Sequence, residues 1–162
     1  MRSGQSKFRN LLIVRDAGCI ITGITPEECD ACHIIPYHVS KDNNISNGIL
    51  LNKLHHKSFD KYIWSINPEN NKIIVDPKFT KYSIYQYNGI TVHLPIECKR
   101  NMATHFKIFM KKYYGITLHK IINYISNNKI HTVPMLRYKL QFNYRVPTDI
   151  VDYIIIHNNN IL

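Results

Sequence analysis

The chain has 162 residues, with 21 Lys and Arg against 11 Asp and Glu, a formal net charge of +10. Its 44% apolar content allows a packed core and excludes a disordered polyelectrolyte; the length favours one domain, or one domain with a small appendage. No apolar run reaches the roughly 18 residues of a membrane span, Leu11–Val14 is cut short by Arg15 and Asp16 where a signal peptide would continue, and four cysteines are too sparse for a disulfide scaffold, so an intracellular protein is expected.

In chain order, residues 5–15 read as a short helix with Phe8, Leu11, Leu12 and Arg15 spaced by three and four. Gly18–Gly23 reads as a strand ending in a turn, and Thr25-Pro26-Glu27-Glu28 as a turn. Asp30–Ile35 reads as a strand closed by Pro36, which also holds Ile35 extended. A polar loop follows over 37–47, and Asn44–Leu51 leads into a helix over about 52–60. Segments 63–66 and 72–75 suggest a hairpin around Asn67-Pro68-Glu69-Asn70, and Tyr82–Leu94 a second one turning at Asn88-Gly89. A helix over about 100–113 places Met102, Phe106, Phe109, Met110 and Tyr113 on a core-facing stripe flanked by Lys107, Lys111 and Lys112. Helical segments near 118–125, 134–142 and 148–156 complete the chain, with a weak boundary near 114–116.

The positive charge is spread along the whole length, which suits a phosphate backbone. Asn, Ile and Lys all have AT-rich codons, so genome composition accounts for part of it. The chemistry-bearing residues are concentrated early. Cys32-His33-Ile34-Ile35-Pro36 is followed by Asn47-Gly48-Ile49-Leu50-Leu51 and then His56-Lys57-Ser58-Phe59-Asp60. Phosphodiester hydrolysis needs a base that titrates near neutrality and a divalent ion on the phosphate, held by a rigid element. His33 at a strand end suits the base. His56 and Asp60, four residues apart, share one side of a helix and form half of a metal site. Asn47 is assigned geometry: its side chain can bond loop backbone or cap the helix.

These residues, with Cys19-Ile20-Ile21-Thr22-Gly23 before them and His105-Phe106-Lys107-Ile108-Phe109 after, resemble the HNH endonuclease family over about residues 8–110. The resemblance implies an α+β fold: a small ββα-metal (His-Me finger) core with flanking hairpins and helices. It implies a nuclease domain over 1–113 with its core at about 19–62, and a mainly helical extension over 114–162. In that pattern His33 is the general base, Asn47 holds the base-bearing loop, His56 is a metal ligand, and Asp60 is a second helix ligand. The implied reaction is DNA phosphodiester hydrolysis by a one-metal mechanism, leaving 5′-phosphate ends.

One departure stands out. Many branches place an Asp or His ligand directly before the general base, and this chain has Cys32 there. A thiolate suits zinc and other late transition metals. Either the metal is not magnesium, or Asp30 on the same strand face takes over, or the site is impaired. Mg, Mn, Ni and Zn all stay open. Cys29-x-x-Cys32 also has zinc-knuckle spacing, and Cys19 and Cys98 could complete a structural zinc site if the fold gathered them.

Residues 117–162 carry Lys120, Lys129, Arg137, Lys139 and Arg145 among Tyr138, Phe142 and Tyr144, which suits either a DNA grip or a homodimer contact. The rival to a double-strand DNA endonuclease is a DNA-binding or structural protein that keeps the fold without turnover. A nuclease acting on RNA or non-specifically is a third reading, separable by parallel digestion of duplex DNA, single strands and RNA.

Overall fold

A computed structural model of the protein describes residues 4–114, 118–144, 146 and 148–157. The chain divides into two units, Met1–Phe109 and Met110–Leu162. Among the described residues no helix is long and apolar enough to cross a membrane.

In the first unit, helix α1 (Gln5–Asp16) buries Phe8 and Leu12, one turn apart on a single face. Strand β1 (Cys29–His33) pairs antiparallel with β2 (Gly48–Asn52), with His33 opposite Gly48 and Cys32 opposite Ile49. Between them, the segment expected as plain loop forms a short helix, α2 (Tyr37–Ser40), and a single 3-10 turn over Ile45–Asn47. The chain leaves β2 directly into α3 (Lys53–Asp60), whose N-cap is Asn52: its side chain accepts from His55 N at 2.8 Å. The order β1–β2–α3 is a hairpin followed at once by a helix. Successive strand residues face opposite ways, and β1 is used on both sides. Cys32 and Asp30 face α3, while His33 faces α1.

Three side chains bolt α1 to the hairpin. The Arg9 guanidinium donates to the carbonyls of Cys29 (2.6 Å) and Pro26 (2.7 Å). Arg15 donates to the carbonyls of Ile45 and Gly48, each at 2.7 Å, and Asp16 accepts from Leu50 N at 2.9 Å. The closest approach is at Gly48. A Cβ there would lie 2.3 Å from Phe8 Cζ and 2.9 Å from Leu12 Cδ1. The Gly48→Ala variant is therefore expected to lose about 1–3 kcal/mol of stability through overpacking, read as a lower urea midpoint at unchanged slope.

Strands β3 (Trp64–Ile66) and β4 (Ile73–Val75) form a second, fully buried antiparallel pair. Trp64 Nε1 donates to Ser58 Oγ at 2.9 Å, fixing this pair to α3. Helix α4 (Lys99–Tyr114) supplies Met102, Phe106 and Phe109 to the core.

Two sequence expectations are corrected. Residues 18–23 form no strand: they fold into turns, with Cys19 N donating to Ile24 O (3.0 Å) and Gly23 N to Cys19 O (2.8 Å). Gly18 permits this, since a Cβ there would sit 2.6 Å from the Ile24 carbonyl oxygen. Nor does Tyr82–Leu94 form a hairpin of its own. Ser83–Tyr87 is a 3-10 turn, and Asn88-Gly89 instead docks on β4, with Asn88 Oδ1 accepting from Val75 N (2.9 Å) and Gly89 N donating to Ile73 O (2.7 Å).

The second unit holds α5 (Leu118–Asn127), α6 (Val133–Tyr144) and α7 (Thr148–His157). An Arg137–Asp152 ion pair and a hydrogen bond from Gln141 Nε2 to Thr148 Oγ1 (3.0 Å) join α6 to α7. On α6, Tyr138 and Phe142 stack on each other in the open. The side chains of Lys120, Tyr144 and Arg145, named above for DNA or dimer contacts, lie outside the described residues.

Candidate metal centre and general base

α3 is short and its two faces divide cleanly. His55, Ser58 and Phe59 point inward and are buried. His55 lies edge-on to Tyr87 at 5.5 Å, away from the candidate centre. It also bonds the Cys19 sulfur: burial raises that thiol, but the bonds from His55 and Thr22 outweigh burial and bring it down to about 6. His56 and Asp60 lie on the other face, toward β1, with Lys53 and Lys57 exposed within about a 100° arc of them.

The imidazole of His56 is held at both nitrogens. Nδ1 lies 3.1 Å from Asp30 Oδ2, and Nε2 lies 3.4 Å from Asp60 Oδ2. Carboxylates only accept, so a neutral ring that gives its Nδ1 proton to Asp30 turns the Nε2 lone pair toward Asp60. Cys32, fully buried on β1, brings its sulfur to the same point. One ligand atom each from Cys32, His56 and Asp60 lie within 4.8 Å of one another. A sulfur, an imidazole nitrogen and a carboxylate oxygen converging on one point are a candidate donor set for a cation. Burial, and after it the charges of Asp60 and Asp30, pushes the Cys32 thiol well above its ordinary range. Asp30 itself sits at the far nitrogen of His56 and is not among the three clustered residues.

His33, the last residue of β1, projects to the opposite side. Its ring stacks on Phe8 at 4.3 Å with an interplanar angle of 12°, and Tyr37 lies tilted at 5.4 Å. Its Nε2 is 3.0 Å from Asn43 Oδ1. Asn47 is buried at the foot of this loop. Its Oδ1 accepts from Ile35 N (2.8 Å), and its Nδ2 donates to Ile35 O (3.0 Å), Asp42 O (3.2 Å) and Ser40 Oγ (3.3 Å). Helix capping, the other role open to Asn47, falls to Asn52.

The structure thus gathers Asp30, Cys32, His56 and Asp60 on one side of β1 and places His33 and its loop on the other. Cys32 and His33 are consecutive, so both groups flank the same strand end. The family model for HNH endonucleases matches residues 19–67, which contain β1, β2 and α3 entire. Over this segment the chain is similar to HNH endonucleases. The match supports reading the protein as an HNH-type nuclease. No curated protein gives a match to the chain.

The HNH segment leaves no four-cysteine zinc site among the described residues. Cys29 and Cys32 are three apart on one strand and face opposite ways. Cys29 donates to Thr25 O at 3.3 Å, and Cys98 to Gly48 O at 3.4 Å beside Arg15. Two residues of the site escape sequence reading. Asn43 lies in a polar loop with no periodicity to mark it, and Phe8 reads only as one apolar residue of α1.

Proposed function

We propose that this HNH-type protein is a metal-dependent DNA endonuclease that hydrolyses phosphodiester bonds with one divalent ion. The observation that supports it best is the Cys32–His56–Asp60 cluster, built on the hairpin and helix that match the family. In this reading His56 Nε2, Asp60 and Cys32 hold the ion. Asp30 orients His56 through the Nδ1 proton and makes it a better donor, as carboxylates behind metal-bound histidines do. A divalent ion supplies positive charge at the scissile phosphate and at the leaving 3′ oxygen. Cys32, His56 and Asp60 would hold the ion with three protein ligands, which would leave room for a substrate oxygen. A thiolate among them favours zinc or nickel over magnesium, which prefers oxygen.

His33, at the strand end, takes the proton from the attacking water. Asn47 holds the loop that returns from β1 to β2, and so keeps Tyr37 and Asn43 against His33. Lys53 and Lys57, exposed beside the cluster, reach phosphates on either side of the cut, and the duplex is held largely by charge. Residues 114–162 serve as an appended element that grips DNA or pairs two chains, giving each strand its own site.

The test is cleavage of supercoiled plasmid with EDTA, magnesium, manganese, nickel or zinc, by wild type and His56→Ala. Cleavage that needs an ion and His56 is the expected result. Folded protein that binds plasmid and cuts with no ion supports the second reading, a DNA-binding protein without turnover. The buried thiol of Cys32 at the position before His33 is the observation in its favour.

A further inference from the structure

We infer that Asn43 is a positioning residue for the general base: its amide oxygen keeps the His33 proton on Nε2 and leaves Nδ1 to accept a proton from water. The inference rests on the reading of His33 as that base. An amide oxygen only accepts, so the 3.0 Å contact between His33 Nε2 and Asn43 Oδ1 requires the proton on Nε2. In a neutral imidazole that leaves Nδ1 as the free lone pair. Phe8, stacked at 12° to the ring and itself wedged against Gly48, fixes the ring plane. Asn43 fixes the rotation within that plane. Neither constraint alone sets the direction of the lone pair, and together they do.

The chain around Asn43 is held on both sides. Asn47 Nδ2 donates to the carbonyl of Asp42 at 3.2 Å, and Asp42 Oδ1 accepts from Asn44 N at 2.8 Å. Asn47 therefore acts on the base at a distance, through residues 42–44. A free imidazole interconverts between two tautomers, and the wrong one points an N–H at the water. Removing the Asn43 acceptor reopens that exchange without touching the ligand cluster, which lies on the other face of β1.

The experiment is a long-range ¹H–¹⁵N correlation on the full chain at about pH 8.5, above the ordinary imidazole range, with steady-state plasmid nicking in parallel. In wild type, His33 should show a protonated Nε2 and an unprotonated Nδ1. In Asn43→Ala the two nitrogen signals should move toward each other, and kcat should fall roughly 10- to 100-fold at unchanged KM. Asn43→Asp keeps an acceptor and should keep the wild-type tautomer, which a purely structural role would not require. A wild-type tautomer or a wild-type kcat in Asn43→Ala overturns the inference and leaves His33 as the base. A His33→Ala protein that nicks at the wild-type rate overturns the base assignment and this inference with it.

Discussion

Replacing His33 by Ala is expected to lower plasmid cleavage by about 10²–10⁴-fold, the range that a positioned general base contributes. In the proposed reading DNA affinity should be unchanged, because the positive charge is distributed along the chain. Metal affinity should be unchanged too, because Cys32, His56 and Asp60 face away from His33 across β1. The three readouts separate the roles: His33→Ala loses only rate, whereas His56→Ala loses metal and rate together. Folding is not at stake, since His33 is only partly buried and its neighbours Phe8 and Gly48 are held by the bonds of Arg9 and Arg15. Millimolar imidazole should restore part of the rate by supplying the missing base from solution. Loss of DNA binding alongside cleavage, in protein with a wild-type urea midpoint, would count against the assignment.

Acid should destabilise the first unit through His105, and the effect is large. This residue on α4 is fully buried, stacked on Phe59 at 3.8 Å. Its Nε2 donates to the Phe59 carbonyl (3.3 Å), and its Nδ1 accepts from the Ser65 hydroxyl (2.8 Å). Burial, opposed only by the bond to Phe59, holds its pKa down at about 3. The unfolded chain takes up the proton near the ordinary value of about 6.5, and the folded protein resists it. Stability from this group is therefore complete above about pH 6.5 and is lost progressively as pH falls toward 3. At pH 4.5 the loss should approach about 3 kcal/mol. Urea midpoints between pH 7.5 and 4.5 measure it. The His105→Gln variant, which cannot titrate, should be less stable at pH 7.5 and show a flatter pH slope. Parallel slopes for the two proteins would place the acid-sensitive group elsewhere.

The first strand and the helix at the centre were legible because their signals are local: Pro36 closes the strand, and four-residue spacing puts His56 and Asp60 on one face. The second strand was not, since Asn44–Leu51 reads only as a lead into the helix, and the cap falls to Asn52 rather than Asn47. The Met102–Phe109 stripe was equally plain, since helical period and burial coincide there. What stayed hidden depends on long-range contacts. Asn88-Gly89 carries a strong hairpin signal, yet β4 recruits its amide groups for its own edge. The turn at 18–23 looks extended in sequence, because nothing local reports the carbonyl that presses on Gly18. Asn47 was readable as a loop holder, but its four hydrogen bonds to Ile35, Ser40 and Asp42 were not. The hold of Asn43 on His33 spans ten residues of irregular chain and follows no period.

The family match begins at residue 19, yet the ring on which His33 rests belongs to Phe8, and α1 as a whole lies upstream of the match. Arg9, Arg15 and Asp16, which stitch the hairpin's backbone to α1, lie upstream as well. The matched segment is thus a motif without its floor. An autonomous module cut from this chain, or grafted onto a foreign DNA-binding domain, has to start at the head of α1. Any fusion partner joined at residue 19 would have to supply an aromatic ledge of its own.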